Sequence, residues 1–126
     1  MTQEEKELLI KDLCERLLYG VKFACNKNIY TAKGLDLIVT DEGDWEYAVT
    51  ANGIEPTEIE HIKPYLRPMS SMTSDERFEY DELQHFYTHG LDFNVDEVDW
   101  LLSHHFDFRG LIPMDLALEA PEGMYN

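Results

Sequence analysis

The side chains with chemistry to offer in these 126 residues are five histidines, two cysteines and 26 acids. His85 and His89 stand four apart, a spacing that puts two imidazoles on one helix face, with Asp81 one turn earlier. That is a usable half-site for zinc or another first-row metal, and its ordinary alternative is a surface histidine pair. His104 and His105 with Asp99 and Asp107 make a poorer set. Neighbours on a helix point about 100° apart, and the sequence holds no His-Glu-x-x-His motif. They read instead as a packed pair at a helix C-terminus, where positive charge is favoured. Cys14, Cys25, Ser70, Ser71 and Ser103 are the available nucleophiles, and none sits in a nucleophile elbow or a catalytic-cysteine context. The seven glycines are isolated, so no loop cradles a phosphate. The residue types therefore argue against an enzyme and supply no cofactor site. Cys14 and Cys25 read as reduced thiols, with Cys14 on or beside the apolar stripe of the first helix as a small buried hydrophobe.

Charge is more informative than any motif. The 26 acids against ten bases give a net charge of −16, of which residues 72–126 carry −11. The bases are scattered singly. Such a chain repels a phosphate backbone, which excludes direct binding of DNA or RNA, and suits a basic protein partner. The candidate docking residues are Asp75, Glu76, Glu79, Asp81, Glu82, Asp96, Glu97 and Asp99. No run approaches the roughly 18 apolar residues of a membrane span, and the first twenty residues resemble neither a signal nor a transit peptide. A cytoplasmic chain of one domain, residues 1–126, is expected.

The elements that would hold these residues can be read in order. Thr2 with Glu5 has capping-box spacing, and Leu8, Leu9, Leu13 and Leu17 give an amphipathic helix within residues 1–20, stopped by Gly20. Glu7 and Lys11 form an outward i,i+4 pair. Residues 21–62 alternate like short strands: Val21–Cys25, Ile29–Ala32, Leu35–Val39 and Trp45–Val49, with turns at Asn26–Asn28, Asp41–Asp44 and Asn52–Gly53. Glu58–Ile62 forms one helical turn. Trp45 and Tyr47 share a face and read as core aromatics. Residues 63–73 are extended by Pro64 and Pro68 and act as a linker leaving the sheet. Residues 74–126 are an acidic helical region. Thr73 with Glu76 opens a helix over 74–88 that Gly90 closes, and Asn94 caps another through Val95, Val98, Leu101 and Leu102, with Arg109-Gly110 as its terminating bend. Residues 119–126 form a loose tail. The fold class is α+β: an N-terminal helix, a small antiparallel sheet or SH3-like barrel, and two C-terminal helices packed on it.

Two stretches carry a resemblance. They are Lys63-Pro64-Tyr65-Leu66-Arg67-Pro68-Met69-Ser70-Ser71-Met72-Thr73 and His105-Phe106-Asp107-Phe108-Arg109-Gly110-Leu111-Ile112, extended by Leu116–Tyr125 and by Leu13–Lys22. With these strings the chain resembles a group of small proteins from anaerobic gut bacteria, their prophages and their phages. The resemblance implies a mobile-element setting and brings no catalytic residues with it. Together with the charge it leads to a non-catalytic phage or prophage accessory protein that binds a protein. A sharper version is an acidic mimic of nucleic acid that inhibits a host defence or regulatory complex. The alternatives are a metal-binding module or metal-dependent enzyme centred on His85 and His89, and a structural or assembly phage protein.

Overall fold

Thr2 begins the first helix through a reciprocal capping box. Its Oγ1 accepts from the Glu5 N–H at 3.1 Å, and its own N–H donates to the Glu5 carboxylate at 2.8 Å. Helix α1 (Gln3–Arg16) then runs into a 3-10 turn, Leu17–Tyr19, and Gly20 ends it in the left-handed conformation. The structure, a computed structural model, describes residues 1–87 and 95–125, with backbone alone for 85–87.

The buried face of α1 is Leu9, Asp12, Leu13 and Arg16, while Leu8 and Leu17 are half-buried at its margins. Cys14 is exposed, which corrects the expectation of a buried thiol. It follows Leu13 by one helical step, and that rotation of about 100° carries it off the stripe. Cys25 is buried on a strand, and both cysteines are free thiols. Glu7 and Lys11 are both exposed, and Glu7 accepts from Gln3 at 3.4 Å.

Strands β1 (Lys22–Cys25) and β2 (Asn28–Thr31) form a hairpin closed by Asn26 and Lys27, both at positive φ. That is the turn whose twist matches the flanking strands. Strands β3 (Gly34–Val39), β4 (Trp45–Ala51) and β5 (Ile54–Glu58) make an antiparallel meander. A 3-10 turn, Ile59–His61, leads to β6 (Lys63–Leu66), and β7 (Leu118–Glu119) comes near the end of the chain. The strands divide into two sheets, ordered β2-β1-β6-β7 and β3-β4-β5, which refines the expectation of one sheet or barrel over 21–62. The segment expected to leave the sheet over residues 63–73 is a strand of it at Lys63–Leu66, and Met69–Ser71 forms a 3-10 turn in place of extended chain. β6 pairs antiparallel with β1 through Phe23↔Pro64 and Ala24↔Lys63, and its parallel pairing with β7 starts at Tyr65, past the proline. Pro64 thereby joins a ladder although it has no N–H to give.

Thr73 and Glu76 form the second capping box, with bonds of 3.2 and 2.9 Å, at the start of α2 (Ser74–Tyr87). Asn94 and Gly90 lie outside the described residues. Helix α3 (Val95–Ser103) ends seven residues before Gly110: Phe106 N–H bonds to the Leu101 carbonyl at 2.9 Å and His105 N–H to that of Leu102 at 3.0 Å. This is a Schellman stop with His105, at φ 65, where glycine is usual. Gly110 serves a later turn instead.

One core cluster joins Leu9 and Leu13 of α1 to Val21, Phe23, Val49, Ile62, Leu66 and Leu111. A second gathers Tyr80, Leu101 and Phe106 with Met69, Met72, Trp100 and Phe108. The two later helices thus pack on each other around Phe106. A charged network binds α1 to the chain beyond α3. Arg16 grips Asp12 with two bonds of 2.7 and 3.1 Å and donates to the Phe106 carbonyl at 2.7 Å; Asp12 and Arg16 are fully buried. Arg109 adds a 2.7 Å bond to Asp12 and two of 2.8 Å to Glu15.

Removing one member of a buried ion pair strands the other. Asp12→Ala should therefore cost about 3–5 kcal/mol, read as a lowered urea midpoint. An unchanged midpoint would mean the network adds nothing. A thiol reagent should titrate Cys14 in the native protein and Cys25 only after denaturation.

Candidate protein-binding surfaces

The eight candidate acids do not act alike. Glu76 is held by Arg67 through bonds of 2.6 and 2.7 Å and caps α2 through Thr73. The Arg67 guanidinium is the main reason its carboxyl falls to about 2. Glu97 was expected on a solvent face and is buried, accepting from Gln84 at 3.0 Å beside Tyr80, whose hydroxyl is pushed up by burial and by that carboxylate. Glu79 is exposed and accepts the Trp100 indole N–H at 3.0 Å. Asp75, Asp81, Glu82, Asp96 and Asp99 are exposed, and among the described residues none of them makes an ion pair. Arg77 is the one base within α2 and α3. The α3 acids begin where the dipole favours them, so Asp96 also serves its helix.

The histidines and Asp107 take structural places. Asp107 accepts the N–H groups of Leu111 and Ile112 at 2.8 and 2.9 Å, tying down the turn after Arg109. His104 lies 3.3 Å from Glu76 and packs on Trp100 at 4.3 Å. His105 was expected to welcome positive charge at the helix end. It is buried instead, stacked on Tyr125 at 3.6 Å, with an Nδ1 that finds no partner among the described residues. Burial, and then the positive field of Arg16, push its imidazole down to about 4, so it is neutral at pH 7. His89 and the side chain of His85 lie outside the described residues. Among the described residues no group of three or more His, Cys, Asp or Glu is placed to hold a metal ion.

The tail is not loose. Tyr125 Oη donates to the Tyr65 carbonyl at 2.7 Å and accepts the Lys22 N–H at 2.9 Å, and burial pushes its own pKa up to about 12. Ala120 N–H bonds to Leu66 at 2.7 Å. Tyr125, His105 and the β6 edge thus close against one another.

Trp45 and Tyr47 were read as core, and the structure places them outside it. Trp45 is 69% exposed and Tyr47 42%, with Leu37 and Val39 exposed across from them on β3. The same face meets the core at its other end, through Leu35, Val49, Ala51 and Ile54. Alternation correctly put the aromatics on one face. It could not show that the β3–β4 hairpin runs on past the core. The chain matches no family model, no curated protein and no solved structure.

The neutral, buried His105 fixes a pH dependence. Its folded pKa lies below the unfolded value near 6.5, so the unfolded chain binds the extra proton between about pH 6.5 and 4 and stability falls as pH drops through that window. His105→Asn, which tolerates the left-handed backbone, should flatten the melting temperature between those pH values. An unaltered slope would show that the imidazole is not the group responsible. The loss owed to Glu76 comes lower, as pH falls from about 4.5 toward 2, so the two separate.

Proposed function

We propose that this chain is a non-catalytic accessory protein that works by binding a basic protein, in the cytoplasm of a bacterial host and in the phage or prophage setting its resemblance implies. One observation carries the reading: α2 and α3 expose Asp75, Asp81, Glu82, Asp96 and Asp99 without ion-pair partners among the described residues, and hold a single base between them. Exposed acids without a partner among the described residues contribute little to stability and much to the outer field. A basic channel built for nucleic acid is the complementary surface. An acidic protein seated there competes with phosphate, which makes inhibition of a host defence or regulatory complex the concrete form of the proposal.

The cleanest test changes acids that hold nothing in place. Asp81→Lys, Glu82→Lys and Asp99→Lys together move the net charge from −16 to −10 and spare Glu76, Glu79 and Glu97. The immobilised wild-type protein should retain a basic nucleic-acid-binding protein from a bacterial lysate, release it as salt rises, and lose it to added duplex DNA. The triple variant should keep its melting temperature and retain at least about tenfold less. Equal retention by the folded variant, or retention indifferent to DNA, would overturn the proposal.

A further inference from the structure

The β3–β5 sheet carries a surface that the helical acids do not explain. Residues 34–60 hold eight acids and no lysine or arginine. Within that stretch Leu37, Val39, Trp45 and Tyr47 are all exposed, between 42% and 69%. They form two cross-strand pairs, Leu37↔Tyr47 and Val39↔Trp45. The Thr40 N–H bonds to the Asp44 carbonyl at 2.8 Å, and alternation from that rung makes both pairs non-hydrogen-bonded, where facing side chains come closest. The result is a contiguous apolar face and not four scattered residues. Acids flank it: Asp41, Glu42 and Asp44 in the loop at its tip, and Asp36 and Glu46 on the reverse side. Lys6 of α1, on that reverse side, is engaged by both Glu46 and Glu60. A cleft of about 390 Å³ lined by Asp41, Glu42, Asp44, Glu46 and Glu58 continues the negative field around the tip.

We infer that this face docks an extended segment of a basic protein in which Arg or Lys alternates with Leu or Val. The apolar residues of the face recur every second position, about 7 Å apart along each strand, which is the period of a strand-like partner. Arginine stems can cover Leu37 and Val39 while a guanidinium lies over the Trp45 or Tyr47 ring. The loop acids Asp41, Glu42 and Asp44, next in the chain to Val39 and Trp45, lie within a Debye length of such cations. The same charges disfavour the other occupants. A second copy would bring its own eight acids against these, and nucleic acid and anionic lipid are repelled outright. The surface lies on different elements from the acids of α2 and α3, so the two proposals can fail separately.

The probe is a labelled peptide of about eight residues alternating Arg and Leu, with oligo-arginine of equal charge and a Glu-Leu peptide as controls, at about 0.15 M salt. The full chain should bind the Arg-Leu peptide at least about tenfold more tightly than oligo-arginine, and the Glu-Leu peptide undetectably. Amide shifts should centre on residues 35–49 and include the Trp45 indole N–H. Trp45→Ser with Val39→Thr should weaken binding about tenfold or more, and Tyr47→Thr, which keeps strand propensity, at least about threefold. The Asp81/Glu82/Asp99 lysine variant should leave the site's affinity within about twofold. Equal binding of oligo-arginine, shifts centred on α2, or unchanged affinity in folded Tyr47→Thr would each overturn the inference. So would concentration-dependent shifts at 35–49 without peptide, accompanied by a dimer in sedimentation, because the occupant would then be a second copy.

Discussion

Asp12 is the residue through which the two halves of the chain are held in register. It lies fully buried on α1 and takes bonds from Arg16 and Arg109, while Arg16 passes a further bond to the Phe106 carbonyl. Burying a carboxylate is costly unless its acceptor sites are filled, and here guanidinium forks fill them from two directions. Phe106 cannot then leave its place beneath Trp100, and Arg67 lies over the Phe106 ring at 4.2 Å while gripping Glu76. One chain of contacts therefore runs from the first helix to the start of α2. The helices can be short because their ends are fastened: two capping boxes at the start of α1 and α2, and a Schellman stop on α3.

The stretches Leu13–Lys22, Lys63–Thr73, His105–Ile112 and Leu116–Tyr125 meet in this frame. Arg16 comes from the first, Arg67 from the second, Phe106, Asp107 and Arg109 from the third, and Tyr125 from the last. Arg16 donates to the Phe106 carbonyl, the Arg67 backbone bridges Phe106, and Tyr125 donates to the Tyr65 carbonyl and stacks on the His105 ring. Arg67, Arg109 and Tyr125 are engaged within the fold, while Arg16 Nη1 and His105 Nδ1 find no partner among the described residues. The exposed acids of the helices and the open face of the meander lie outside these stretches.

What could be read from sequence was local. The capping boxes and the Gly20 stop rest on contacts within a few residues, and so does the placement of turns at Asn26, Gly43 and Asn52, so residue type decides them. What escaped is non-local. The extended backbone around Pro64 is dictated by proline, but its partner β1 lies some forty residues earlier, so strand and linker looked alike. The buried face of α1 was visible as spacing 9, 12, 13, 16. Two of those four positions are charged, and an apolar stripe was sought in their place. Gly110 looked like the natural end of α3 because glycine favours the left-handed backbone. His105 takes that conformation five residues sooner, bonded and stacked into place.

Charge misled for a related reason. Averaging over residues 21–71 sets eight acids against five bases and makes the middle of the chain look ordinary. All five bases lie outside the β3–β5 meander, on β1, the turn after it, the connection from β2 into β3, β6 and the residue after it, while all eight acids lie between Asp36 and Glu60. Folding therefore separates what the average combined. The −11 of the last segment is not all offered at the surface either: Arg67 offsets Glu76, and Glu97 and Asp107 are buried against Gln84 and backbone amides. A local excess of acid meets a partner directly only where the fold leaves those acids exposed. By that criterion the meander, with Lys6 already engaged by Glu46 and Glu60 and an aromatic face open to solvent, has as strong a claim to a basic partner as the helices whose sequence looked more acidic.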